Sequence, residues 1–184
     1  MNLHRPASLA GPLVLVAALC AAVPGCGYAL AGRGNALPPH IKIIGVPGLT
    51  NLSTTPGIEE VISREIRQEM SGRGGVRVLP EEGNADGVLT GSIVSVDLRP
   101  VVVSDARQVS QVTLIVVASV EFKDKKDGKV LWSNPRLITQ ETYNVDAATN
   151  AVDAAALFRQ DANAMQRLAK VVARSIVTQI FEAF

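Results

Sequence analysis

Cysteine, histidine and aromatic side chains are scarce in this sequence, and net charge is nearly absent. Cys20 and Cys26 are the two cysteines and both lie near the N-terminus, so nothing downstream of Cys26 can form a disulfide or a thiolate metal site. The two histidines are His4 and His40. Neither stands at metal-ligand spacing, no G-x-S-x-G elbow accompanies them, and no acids sit at a spacing that suggests paired-carboxylate catalysis. An enzyme is therefore not expected, nor a cofactor. Lys and Arg number 18 against 17 acids, which leaves no polybasic footprint for nucleic acid. With aromatics at 4%, the core must come from aliphatic packing, and the length suits one two-layer domain. The longest apolar run, Leu9 to Ala22, falls short of the roughly 20 residues that a membrane-spanning helix needs.

That run has a different use. Met1 to Arg5 carries the positive charge of a signal n-region, Leu9 to Ala22 is an h-region, and Gly25 is the small residue required before a cleavage site. Val23-Pro24-Gly25-Cys26 resembles a bacterial lipobox, with Pro24 in place of the usual small or hydroxyl residue. The resemblance implies removal of residues 1–25 and acylation of Cys26, by chains such as palmitate. Loss of Arg5 takes the net charge from +1 to neutral. Each buried methylene contributes about 0.8 kcal/mol, so two or three acyl chains anchor a protein durably. In lipoproteins of this kind an Asp after the cysteine favours the inner membrane, and Gly27 therefore implies the outer membrane.

Residues 26–40, rich in glycine and proline, read as a lipidated tether, and residues 41–184 as the domain. Ile41 to Val46 is β-branched and closed by Pro47-Gly48, a first strand. Asn51 to Thr55 is a polar loop, and Thr55 before Pro56 suits a helix N-cap. From Pro56 to Ser71, Ile58, Val61, Ile62, Ile66 and Met70 recur at helical spacing, and Gly72, Gly74 and Gly75 end the helix. Because those glycines follow a helix and precede a strand, they do not form a phosphate loop.

Val76 to Val78 begins a second strand. Val88 to Arg99 is a third, ended by Pro100, and its apolar phase changes at Val94, as at a bulge. Gln111 to Phe122 alternates strictly, with Val112, Leu114, Val116, Ala118, Val120 and Phe122 on one face. Ile115 and Val117 make the other face partly apolar. Asp127-Gly128 signals a hairpin into Val130 to Trp132, and Leu137 to Tyr143 extends the sheet after Asn134-Pro135. A stripe including Phe158, Ala162, Met165, Val172, Ile176 and Ile180 marks a closing helix from about Ala154. The order gives an α+β two-layer sandwich, with two helices on one face of a mixed or antiparallel sheet of about four to five strands.

These segments carry a resemblance. Cys26-Gly27-Tyr28, Leu37-Pro38-Pro39, Pro56-Gly57-Ile58-Glu59, Ala85-Asp86-Gly87-Val88-Leu89-Thr90-Gly91 and Gly128-Lys129-Val130-Leu131-Trp132 occur in an order similar to that of the LptE family of lipopolysaccharide-assembly lipoproteins. The resemblance implies a lipid-anchored outer-membrane protein that plugs the barrel of the LptD translocon, aids its assembly and binds lipopolysaccharide. A periplasmic lipoprotein that activates a cell-wall synthase, or a component of a secretion machine, is the competing expectation, since strand, polar loop and amphipathic helix occur there too.

A lipid A site needs cations beside apolar surface. Lys123, Lys126 and Lys129 cluster about the hairpin with Lys125, Arg136 follows, and Phe122 and Trp132 are near in sequence. Asp124 and Asp127 interleave with the lysines, so a solvated hairpin tip is the plainer expectation for the same residues. Arg99 and Arg107, around the preceding connection, are the fallback.

Overall fold

The computed structural model describes residues 37–73, 75–103, 109–144 and 153–184. The leader 1–25, Cys26, the tether up to residue 36 and Arg107 lie outside the described residues.

The strands are β1 (Ile43–Gly45), β2 (Thr50–Asn51), β3 (Arg77–Leu79), β4 (Gly87–Val103), β5 (Val109–Asp124) and β6 (Val130–Asn144), and the helices are α1 (Ile58–Gly72), α2 (Ala154–Gln160) and α3 (Ala162–Glu182). They form a mixed sheet of order β3-β1-β4-β5-β6, with β2 paired to β4 beyond β1. β1 runs parallel to β3 and β4, and β2 runs parallel to β4, whereas β4, β5 and β6 form an antiparallel meander. At roughly 3.4 Å per residue the three long strands make an arm of about 50 Å. β1 and β2 pair only with the first part of β4, up to Ile93. From Ser95 onward, among the described residues, β4 has no partner on that side.

The alternation in β5 decides which face is core. Val112, Leu114, Val116, Ala118, Val120 and Phe122 are all buried, while the intervening residues are half-exposed. The buried face meets α1 through Ile58, Ile62, Ile66 and Met70, and α3 through Leu168, Val172, Ile176 and Ile180. Each such side chain contributes about 1.5–3 kcal/mol on burial. All three helices therefore lie on one side of the sheet, the α+β sandwich expected, and among the described residues its other face is left open.

Several boundaries differ from expectation for identifiable reasons. Helix α1 begins at Ile58, and its N-cap is Gly57 in the left-handed conformation (φ 81), not Thr55. Thr55 turns inward instead and is 1% exposed. Asn51 opens as a short strand before its side chain organises the following turn, accepting from Ser53 N at 2.9 Å and donating to Thr55 O at 2.8 Å.

In β4 the phase change is a bulge: Ile93 pairs with Ala118 and Ser95 with Val117, leaving Val94 out of register and 43% exposed. The strand also continues through Pro100, which faces Val112 beside a second register shift. Proline is tolerated there because this stretch is a sheet edge. The two segments expected around Asn134-Pro135 are one strand, β6, with a register shift between the pairs Ala118 and Val120 make. The closing helix is two: Asp161, at φ −131 and ψ 92, interrupts it and caps α3 by accepting from Asn163 N at 2.9 Å. Ala162, just past this break, is exposed. Arg167 then pairs with Asp161 at 3.1 Å and stacks 4.9 Å above the Tyr143 ring, fastening α3 to β6. Burial pushes the Tyr143 hydroxyl up to about 12.

Two glycines of the Ala85 to Gly91 segment are fixed by close approach. A Cβ on Gly87 would lie 2.9 Å from the Phe122 ring, and one on Gly91 would strike the Ser119 carbonyl. Asp86, just before Gly87, accepts from Lys42 N at 2.9 Å and Ile43 N at 2.8 Å, which ties β1 to the start of β4. These two backbone donors hold its carboxyl below the usual aspartate range.

Candidate functional site

Two surfaces fit the expected chemistry: the β5–β6 hairpin end and the open face of the sheet. The hairpin turns at Gly128 (φ 65), a left-handed position that suits glycine. Asp124 continues the even-numbered, inward phase of β5 and is 3% exposed. Its Oδ2 lies 2.6 Å from His40 Nε2, its Oδ1 accepts from Lys126 N at 2.8 Å, and its own N donates to Lys129 O at 2.8 Å. The His40 bond is the chief reason that its carboxyl sits below the ordinary aspartate value of 3.8. His40 is thus a half-exposed partner for a buried acid at the foot of β1, a structural clamp.

The four expected cations are not brought to one point. Lys123 pairs with Glu121 at 2.5 Å and borders a cleft of about 330 Å³ with Val88, Thr90 and Gly128. Lys126 borders a separate cleft of about 360 Å³ with His40, Ala85 and Asp86. Lys125 is shared by both clefts and is occupied, donating from Nζ to the carbonyls of Glu82 at 2.8 Å and Gly83 at 2.6 Å. Lys129 is exposed at the turn. Arg136 is exposed beside Leu137, which faces Ala118, and so lies about four residues, roughly 13 Å, along the strand from Lys123. Arg99 is exposed farther out on the arm, opposite Thr113. Phe122 is fully buried and Trp132 partly so, packed in the core, which makes neither a free acyl-binding ring.

The open face carries a half-apolar belt. Ser95, Val117 and Ile138 form one row across the three long strands, and Asp97, Ile115 and Gln140 form the next. Ile138 is 48% exposed, and Val94 projects beside the belt from its bulge. On the distal side polar ladders take over, Thr113 with Thr142 at 3.0 Å and Gln111 with Asn144 at 2.9 Å. On the hairpin side Ser119, Glu121 and Lys123 follow. Alternation in β5 foretold Ile115 and Val117 on this face. Val94 and Ile138 join them only through the bulge and the cross-strand register.

Residues 41–180 match the family model described as lipopolysaccharide-assembly, LptE. The chain belongs to the LptE family. Its α+β sandwich, with an open-faced meander, is consistent with LptE-like structures, and membership of the family points to a non-enzymatic lipoprotein role. Among solved structures, uncharacterized lipoprotein B of Nitrosomonas europaea is 15% identical, with 84% of this chain and 90% of that one covered at a TM-score of 0.50. At that identity the likeness is one of fold. PelC of Paraburkholderia phytofirmans, a dodecamer, is 18% identical over 78% of this chain and 92% of its own, at a TM-score of 0.45. No curated protein shows significant similarity. Among the described residues, no helix of this LptE-family chain is long and apolar enough to cross a membrane, and no group of His, Cys, Asp and Glu could hold a metal.

Proposed function

We propose that this LptE-family protein is an outer-membrane lipoprotein, anchored through acylated Cys26, that plugs and helps to assemble the LptD barrel and binds lipopolysaccharide on its way to the cell surface. The observation that carries the reading is the one-sided sandwich. A free soluble domain gains nothing from a half-apolar belt on a 50 Å arm (about 15 residues at 3.4 Å), whereas a barrel lumen offers a curved wall of side chains for Val94, Ile115, Val117 and Ile138 to meet. Flanking Thr113, Thr142, Gln111 and Asn144 suit the polar interior of such a barrel.

In this reading Lys123, Lys126, Lys129 and Arg136 supply positive charge for lipid A phosphates. Their spread from the β5–β6 turn along the hairpin suits successive contacts with a large, multiply charged headgroup better than a single closed pocket. The experiment is purification of the acylated chain from detergent-solubilised envelopes. A barrel protein is expected as its tight partner, and a peptidoglycan synthase in that position would favour a cell-wall role.

A further inference from the structure

Strand β4 runs on past its pairing with β2, and from Ser95 to Pro100 it is a sheet edge with no partner among the described residues. Such an edge is a template for a further strand. We propose that it pairs antiparallel with the same edge of a second copy of this chain, about a two-fold axis at Leu98.

Register determines which backbone groups are free. Leu52 N donates to the Ile93 carbonyl at 2.9 Å, so Ile93 turns its backbone groups away from β5. Ile93 pairs with Ala118, Val96 with Val116, Leu98 with Leu114 and Pro100 with Val112, every second position of β5. Because the bonds of an antiparallel ladder alternate in the same way, Val96, Leu98 and Pro100 also turn theirs to the free side. With the axis at Leu98, each Leu98 N donates to Leu98 O of the second copy, and each Val96 N to Pro100 O of the second copy. Pro100, with no N–H to give, falls at the end of the ladder, where its carbonyl alone is used.

Side chains then select the register and, with it, the occupant. Asp97 and Arg99 are exposed, lie on the open face and form no ion pair among the described residues. Asp97 Oδ2 accepts from Ser95 Oγ at 2.9 Å. An axis at Leu98 sets Asp97 of each copy directly opposite Arg99 of the other, in the non-hydrogen-bonded pairs where Cα atoms approach to about 4.5 Å and side chains are closest. An axis at Asp97 or at Arg99 would instead oppose like charges, which destabilises a pair. On the helix side the half-buried Leu98 meets Leu98 of the second copy. One acid and one base flanking an apolar residue are thus complementary to themselves, as a two-fold interface requires. The bulge at Val94 and the ring of Pro100 keep the ladder short, so the dimer is weak and reversible.

This inference goes beyond the barrel partnership and stands or falls separately from it. The test is sedimentation equilibrium of the mature acylated chain in density-matched detergent over a range of concentrations. A monomer–dimer equilibrium is expected with wild type. Asp97→Arg and Arg99→Asp, each folded with wild-type Tm, should weaken dimerisation about tenfold, and the two combined should restore it. Mixing Asp97→Cys copies with Arg99→Cys copies should give a disulfide-linked dimer, whereas either alone should link far less, its like positions lying diagonally about 7–8 Å apart. A wild type that is monomeric at every concentration, or a double variant no better than the single ones, overturns the proposal. So does hydrogen exchange in which the Val96 and Leu98 amides are protected only in the barrel complex, which would give the edge to the barrel. A chain that dimerises as described without holding a barrel would leave this inference standing and refute the barrel reading alone.

Discussion

His40 Nε2 and Asp124 Oδ2 lie 2.6 Å apart although 84 positions separate them in sequence, and this contact joins the entry of the domain to the β5–β6 hairpin. The depressed Asp124 carboxyl makes that join sensitive to acid. A carboxyl whose folded value lies below its unfolded one contributes stability above the unfolded value and loses it as pH falls toward the folded one. Thermal melts of wild type and Asp124→Asn should therefore differ most at neutral pH, wild type being the more stable. The gap should narrow as pH drops below 3.8, the ordinary aspartate value. A gap that stays constant from pH 7 to pH 3 would show that the ionised carboxylate is not what the clamp uses.

Glycine positions give a sharper steric test. Gly91→Ala forces a Cβ onto the Ser119 carbonyl, whereas Gly48→Ala meets nothing within 4 Å. Overpacking against backbone costs about 1–3 kcal/mol, so Gly91→Ala should lower Tm by several degrees and Gly48→Ala should be nearly silent. Equal melting of the two variants would place β4 and β5 farther apart than described.

The two faces of β5 can be separated by one residue. Val116 is fully buried against the helices, and an unpaired aspartate there should cost more than about 4 kcal/mol and prevent folding. Val117, half-exposed on the open face, should accept aspartate with a folded, far-UV-normal domain. Loss of fold in both variants would mean that the open face is covered within the chain itself.

How much of this was legible follows from which constraints are local. Strict alternation in β5 reports a sheet buried on one face, and turn residues such as Asp127-Gly128 report their hairpin, so the sandwich and its most regular strand could be read directly. Asp124 was legible too, being the next inward position after Phe122, although the flanking lysines give the same segment the pattern of a charged hairpin tip. The inward turn of Thr55 was not legible, because it depends on Gly57 taking the cap position, and the split of the last helix depends on Asp161 leaving the helical conformation. The spread of the hairpin cations likewise depends on register, which places Arg136 opposite the middle of β5.

Charge at the hairpin edge yields a further expectation. Replacing Lys123, Lys126, Lys129 and Arg136 together by Ser should weaken lipopolysaccharide capture at low salt, where screening is least, with barrel co-purification unchanged. Arg136→Ser alone should produce only part of the loss, because it lies about 13 Å along the strand from Lys123. Capture equal to wild type by the fourfold variant would move the site toward Arg99.

The open face and its barrel are tested most directly by one co-purification. Wild type and Val117→Asp, both acylated and both shown to be folded, would be recovered from detergent-solubilised envelopes and their partners quantified. The one-sided sandwich predicts a stoichiometric barrel protein with wild type and its loss, by tenfold or more, with Val117→Asp. Equal recovery of the barrel by both, or its absence from wild type, would contradict the account.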